Sequence, residues 1–306
     1  LMERPIPLYV GSGSPLSNVG TLTNQGIELE VGYKLSVDKV NLSFLANASY
    51  VKNEIKNLGN QTGYIDKESL PTLGTVSRNE NGYPIGYFFG YKAIGVFQTQ
   101  EEIDSYISPA TGKPIQPNAA PGDTKFEDLN GDGVISDDNE DRTMIGKPNP
   151  DWMVGLTVAA DWNGFDLSAF FQGSFGADVF DALRRYELAA VNYTSDALER
   201  WTGPGTSNSM PRIVLGDTPK NFRPSTLLVH DASFLRLRNL QVGYTLPAQL
   251  TRKAYIQRLR FYASFDNLLT ITGYKGMDPE IGSTMGIDKG VYPQARVYTF
   301  GLNLTF

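Results

Sequence analysis

The sequence predicts a transmembrane antiparallel β-barrel, and three observations carry that expectation. Seven separate runs alternate strictly between apolar and polar or small residues, the connections between them alternate short and long, and the last run ends on the aromatic Phe306. Alternation with a period of two sets one residue class on each side of a strand. A helical membrane protein is excluded, because 41% hydrophobic residues and a mean hydropathy of −0.27 come with no run near the roughly 18 apolar residues a spanning helix needs. A barrel keeps that composition, since only every second residue of its strands meets lipid.

The predicted strands, in order, are 26–36, 40–51, 151–162, 165–175, 234–246, 258–268 and 296–306. The first sets Ile27, Leu29, Val31, Tyr33 and Leu35 against Glu28, Glu30, Gly32 and Lys34, and the second sets Val40, Leu42, Phe44, Ala46, Ala48 and Tyr50 against a face that is mostly Asn and Ser. Trp152, Val154, Leu156, Val158, Ala160 and Trp162 form the third, and Asn163-Gly164 then announces a tight hairpin into Phe165, Leu167, Ala169 and Phe171. Leu240, Val242 and Tyr244 share a face in the fifth, Leu259, Phe261, Ala263 and Phe265 in the sixth, and Tyr298, Phe300, Leu302, Leu304 and Phe306 in the seventh.

A soluble β-sandwich also alternates. The membrane reading is favoured by Trp152 and Trp162, ten residues apart on one face. At about 3.3 Å per residue and a tilt of roughly 40° they stand about 25 Å apart along the membrane normal, the height of an apolar band between aromatic girdles. Short turns at 36–39, 163–164 and 247–257 alternate with long excursions at 51–150, 176–233 and 269–295, the asymmetry of short periplasmic turns and long extracellular loops. The expectation is therefore two large extracellular loops, 52–150 and 176–233. The apolar segment Ile85 to Phe97 would break the parity as an eighth span, so it belongs to the first loop as local β structure. Seven spans are odd, whereas bacterial single-chain barrels close with an even number. Further strands are thus expected before residue 1, with 1–3 as the top of a preceding strand and 4–25 as a loop.

Other classes find little support. The chain has no cysteine, which removes disulfides, Cys-based zinc and thiol nucleophiles. A net charge of −6 argues against nucleic acid as a partner. His230 is the only histidine, and neither a nucleophile elbow nor a Gly-rich phosphate loop is present, so enzyme activity is not expected.

One motif carries metal chemistry. Asp128-Leu-Asn130-Gly-Asp132-Gly-Val134 reproduces the first half of a calcium loop, with oxygens at positions one, three and five and a carbonyl at seven. Position twelve is Asn139, followed by Glu140 and Asp141. The candidate ligands for Ca2+ or Mg2+ in 128–141 are Asp128, Asn130, Asp132, Val134, Asn139 and Glu140, against an acidic turn closed by Asx hydrogen bonds. Arg236 and Arg238 share parity with lipid-facing Leu240, so they are expected above the membrane or behind a bulge near Asn239, in a structural ion pair rather than on substrate. Helical runs are expected at Val179 to Ala190 and Ser195 to Trp201, and Tyr87, Phe88, Phe89 and Tyr91 are expected to be buried among the loops rather than stacked on sugar. Glu28, Glu30, Lys34, Asp166 and Gln172 would line a lumen.

The order of several short pieces resembles the C-terminal region of SusC-like (SusC/RagA family) TonB-dependent outer-membrane transporters over nearly the whole chain. These are Asn24-Gln25-Gly26-Ile27-Glu28, Gly86 to Tyr91, Gly122-Asp123 leading into Asp128 to Gly133, Ile145 to Pro150, Phe234 to Leu240 and Phe265 to Leu268. The resemblance implies a 22-stranded barrel in the outer membrane of a Gram-negative, Bacteroidetes-like bacterium, in contact with its lipids. It also implies an N-terminal plug and TonB box outside this sequence, a SusD-like surface lipoprotein as lid, the TonB complex as energy source, and oligosaccharides or peptides as substrate. The alternatives are a soluble β-rich carbohydrate-binding module, and a siderophore receptor or surface adhesin built on the same barrel.

Overall fold

A computed structural model describes residues 2–3, 11, 16–17, 20–281 and 285–306. All seven predicted strands are present: β1 (Thr21–Val37), β2 (Val40–Asn57), β3 (Trp152–Trp162), β4 (Phe165–Phe175), β5 (Phe234–Thr245), β6 (Arg258–Thr272) and β7 (Val297–Thr305). They form one antiparallel sheet in which each strand pairs with the next in the chain. None of the described helices is long and apolar enough to cross a membrane.

Register turns the alternation into continuous rows. Tyr33, Phe44, Val158, Ala169, Leu240, Phe265 and Tyr298 lie side by side across all seven strands. Two aromatic rows bound the apolar face. Tyr50 packs on Trp152 at 5.0 Å at one edge, and Trp162 stacks on Phe165 at 6.3 Å, with Tyr244 4.4 Å further along, at the other. The face they enclose is open: Ile27 is 74% exposed and Phe300 76%. A soluble sheet would cover such a surface, so the sheet is built for an apolar solvent. The β3–β4 turn is the one the sequence announces, with Asn163 at φ 48° and Gly164 at φ 87°, the left-handed pair of a type I′ hairpin.

The strands outrun the expected bounds at the long-loop end. β1 begins at Thr21, inside the segment assigned to a loop, and β2 continues to Asn57, because Thr21 to Gly26 still find ladder partners on Val51 to Asn57. Met2–Glu3 pair with Leu16–Ser17; the rest of the expectations for 1–19 lie outside the described residues, Gly11 excepted.

The packed core sits in the long connections, where Leu70, Val76, Phe88, Phe180, Leu228 and Ile287 form one cluster and Tyr186, Ala197 and Phe222 another. The segment 85–97 supplies two short strands, Tyr87–Gly90 and Ala93–Val96, and no span. Tyr87, Phe88, Phe89 and Tyr91 are all buried, as their apolar run demands. The helix expected from Val179 to Ala190 is absent: Asp178–Asp181 is a strand that pairs with Val229–Asp231 and Ile287–Asp288. Asp181 then accepts the N–H groups of Leu183 and Arg184, which turns the chain away. The second expected helix shrinks to the single 3-10 element Ser195–Glu199. Tertiary strand pairing has overridden a helical pattern too short to persist alone.

Candidate functional site

The polar face of the sheet holds a charged cluster at the end nearest the long connections. It depends on one extra residue in β5. Phe171 faces Leu237 and Phe170 faces Asn239, so Arg238 has no partner on β4 and the strand bulges there. On the other side, Leu237 faces Leu269 and Asn239 faces Asp266, which leaves Asn267 and Leu268 opposite Arg238, and the φ of 53° at Asn267 marks the matching irregularity in β6. A bulge shifts side-chain parity by one. Leu240 and Leu237 therefore both point to the apolar face, while Arg236 turns to the polar one. Of the two sequence-based placements for these arginines, the bulge near Asn239 is the one adopted.

Arg236 is 2% exposed and fully partnered: Nε donates to Thr270 at 2.9 Å, Nη1 to Glu280 at 3.0 Å and Nη2 to Asp278 at 2.5 Å. Arg238 donates to Gln172 at 2.6 Å, Asn267 at 3.2 Å and both carboxylate oxygens of Glu280 at 2.6 and 2.7 Å. Burial would raise the Asp278 carboxyl, but the N–H groups of Gln294 and Glu280 and the Arg236 guanidinium outweigh it and hold it below the ordinary carboxylate value. The cluster ties the 273–281 segment down onto the polar face. Asp278 and Glu280 were not singled out from the sequence; two acidic residues in a Pro- and Gly-containing connection carry no signal until the bulge brings the arginines to them.

Nearer the tight turns, Arg260 reaches across Gly243 to Asp166 on β4, donating from Nε at 2.9 Å and also from Nη2. A side chain at Gly243 would stand 2.6 Å from Arg260 Nε and 2.6 Å from Asp166 Oδ1, so it would push the ends of these two flexible side chains aside. Glu28, Glu30 and Lys34 share this polar face by register, as expected, and Asp166 and Gln172 are engaged by arginines.

No protein-family model matches the chain. It is 32% identical over its whole length to TonB-dependent receptor P3 of Formosa agariphila, and 30% identical over 94% of its length to TonB-dependent receptor SusC of Bacteroides thetaiotaomicron. Its structure superposes on the RagAB peptide transporter with a TM-score of 0.77 over 100% of the chain, at 27% identity. The chain belongs to the SusC-like TonB-dependent receptors. It spans 31% of the length of the Formosa receptor and 32% of the matched transporter chain, about a third of either. In this family the seven-stranded sheet is part of a transmembrane β-barrel wall, its apolar face toward lipid and its polar face toward the lumen.

Within this SusC-like chain the acidic loop closes on itself. Asp128 accepts from the N–H groups of Gly131 at 2.8 Å and Gly133 at 2.9 Å, and Asp132 accepts from that of Val134 at 2.8 Å. Asn130 turns its amide nitrogen to Asp132 at 2.9 Å and Glu140 at 3.0 Å, so a hydrogen-bond donor bridges the two carboxylates a cation would bridge. Asn139 accepts from Arg142 instead of turning into the loop. Asp141, which is fully buried, closes the loop by accepting from Leu129 and Ser136, both at 3.1 Å. Among the described residues no group of three or more His, Cys, Asp or Glu side chains is placed to hold a metal ion. The lone histidine, His230, has its Nε2 3.0 Å from Arg184 Nη1; burial, then the guanidinium, depress its pKa.

Proposed function

We propose that this chain forms part of the barrel wall and the outer loops of an importer in the bacterial outer membrane. In this reading the importer takes up oligosaccharides or peptides with a SusD-like surface lipoprotein as lid and the TonB complex as energy source. The observation that carries the reading is the Arg236–Arg238–Asp278–Glu280 cluster, an ion-paired clamp that holds a long connection against the lumenal face. A soluble carbohydrate-binding module would instead cover the apolar face. The long connections are assigned to the cell exterior, which puts 52–150 and 176–233 where a lid docks. Exposed apolar side chains there, Leu198 at 81% and Leu215 at 70%, fit a protein partner better than water.

Ca2+ or Mg2+ in the 128–141 loop is a separate proposal. Asp132 and Glu140 both accept from the Asn130 amide nitrogen, and a cation between them would need that amide to rotate its oxygen inward.

The test is purification of the full-length receptor in detergent from outer membranes of its native host, followed by uptake assays with and without the receptor gene. Recovery of a surface lipoprotein with the receptor, and receptor-dependent uptake of an oligosaccharide or short peptide, are the expected results. Siderophore-only uptake, or a receptor isolated without a lipoprotein, would overturn the reading.

A further inference from the structure

A second polar site lies in the loop mass. Arg142, Arg223, Glu187 and Tyr91 line one cavity of about 330 Å³, within the size range of small-ligand sites. Each charged group is held by a protein partner through at least one polar atom and leaves one buried atom without a hydrogen-bond partner: Arg142 Nε, Arg223 Nη1 and Glu187 Oε2. Arg142 donates to the carbonyls of Phe89 at 2.7 Å and Thr75, and to Asn139 at 3.2 Å. Arg223 donates from Nε to the Lys220 carbonyl at 3.1 Å, and its guanidinium lies 4.8 Å from the centre of the Tyr91 ring. The Glu187 side chain is 8% exposed, and its Oε1 accepts from Arg185 and from Thr72 at 3.2 Å.

Three bases, Arg142, Lys220 and Arg223, and three acids, Asp137, Glu187 and Asp217, line the cavity, but their pairing is incomplete. Among the described residues Arg142 makes no ion pair, and Arg223 has only Asp137 at 3.9 Å, a carboxylate already held by Lys220. Asp217 also lines the cavity, but both its oxygens are occupied, by the N–H groups of Asn221 and Phe222, each at 2.9 Å. One buried N–H of each guanidinium therefore lacks an acceptor within hydrogen-bond distance, and one carboxylate oxygen lacks a donor. Arginine forks suit carboxylates, and groups held by their remaining hydrogen bonds bind without reorganising.

We propose that this cavity is a ligand subsite for an organic carboxylate with an N–H or O–H donor beside it. The carboxylate would accept from Arg223 Nη1 and Arg142 Nε, and the donor would serve Glu187 Oε2. The C-terminal end of a short peptide and a terminal uronic acid of an oligosaccharide both have this chemistry. The inference rests on the importer reading and narrows its substrate.

Isothermal titration of the detergent-solubilised full-length receptor with trialanine, its C-terminal amide, a glucuronic-acid-terminated disaccharide and the neutral glucose analogue tests it. One acid probe is expected to bind at least tenfold tighter than its neutral counterpart, and which one does so names the source. Arg223→Gln and Glu187→Gln are each expected to weaken that probe about tenfold with unchanged thermal unfolding. If Arg223→Gln fails to fold, Arg223→Lys keeps the charge but not the fork, and the same loss is expected. Equal affinity for acid and neutral probes, no binding of either acid, or binding that survives substitution at Arg223 overturns the proposal. Uptake of a neutral substrate by the same receptor would leave the importer reading standing without this subsite.

Discussion

Arg238 sits in the β5 bulge and presents its Nη2 to both oxygens of Glu280, at 2.6 and 2.7 Å, across 42 residues of chain. That contact converts a local irregularity in a membrane strand into the anchor of a long connection. Replacing Arg238 with Met leaves a half-buried carboxylate short of its main donor, although Arg236 Nη1 still reaches it. Breaking one side of such a pair costs about 3 kcal/mol. Limited proteolysis of the intact receptor is expected to show faster cleavage within 273–281 in Arg238→Met, with the barrel strands still protected.

Leu156 and Thr157 are neighbours on β3 midway between the two tryptophans and point to opposite faces. Arginine on the lipid face at mid-membrane costs about 2–4 kcal/mol, whereas a lumenal substitution is tolerated. Leu156→Arg is expected to lower the temperature at which the barrel loses its folded mobility in gel electrophoresis, and Thr157→Arg to change it far less.

Gly243→Ala sets a methyl group against the Arg260–Asp166 pair. Because only the ends of flexible side chains must move, the cost is expected to be about 1 kcal/mol, the low end for overpacking. The double variant Gly243→Ala/Arg260→Ser is expected to recover part of the lost unfolding temperature, since it removes the side chain that clashes; strict additivity of the two single changes would refute the geometry.

The Asp217 carboxyl is raised by burial to about 6. Its folded value thus exceeds the ordinary value of 3.8, so the neutral form is favoured by folding. This contribution is fully present below about pH 4 and is lost as pH rises through about 6, a change on the order of 3 kcal/mol. Thermal unfolding of the receptor's loop mass, followed by hydrogen exchange of buried amides other than Asn221 and Phe222 and corrected for intrinsic rates, is expected to show greater stability at pH 5 than at pH 7.5. The difference should vanish in Asp217→Asn.

Asp141 closes the acidic loop by two hydrogen bonds to backbone N–H groups. Asp141→Ala leaves these buried donors unpaired, at about 1–3 kcal/mol. Increased hydrogen exchange across 128–141 is expected in Asp141→Ala but not in Asn139→Ala.

All seven spanning strands were legible because a membrane strand repeats one physical demand, oily on one side and polar on the other, at every second residue. The loops were harder. Val179 and Phe180 fit a helical pattern as well as a strand, and only the distant partners His230 and Ile287 select the strand. Ladder partners also carried β1 back to Thr21, past the point where alternation is clear. Asn139, Glu140 and Asp141 compete in sequence for one closing position, and burial against Leu129 and Ser136 selects Asp141.

The sequence by itself determined the barrel strands, their lipid and lumenal faces and the Asn163-Gly164 hairpin, since each follows from local periodicity or local dihedral preference. Tertiary structure alone decided that Arg236 and Arg238 face the lumen, that they hold Asp278 and Glu280, and that Arg142, Arg223 and Glu187 share one cavity. Those relationships join residues many positions apart, and a single bulged residue inverts the parity from which sequence reasoning would read them.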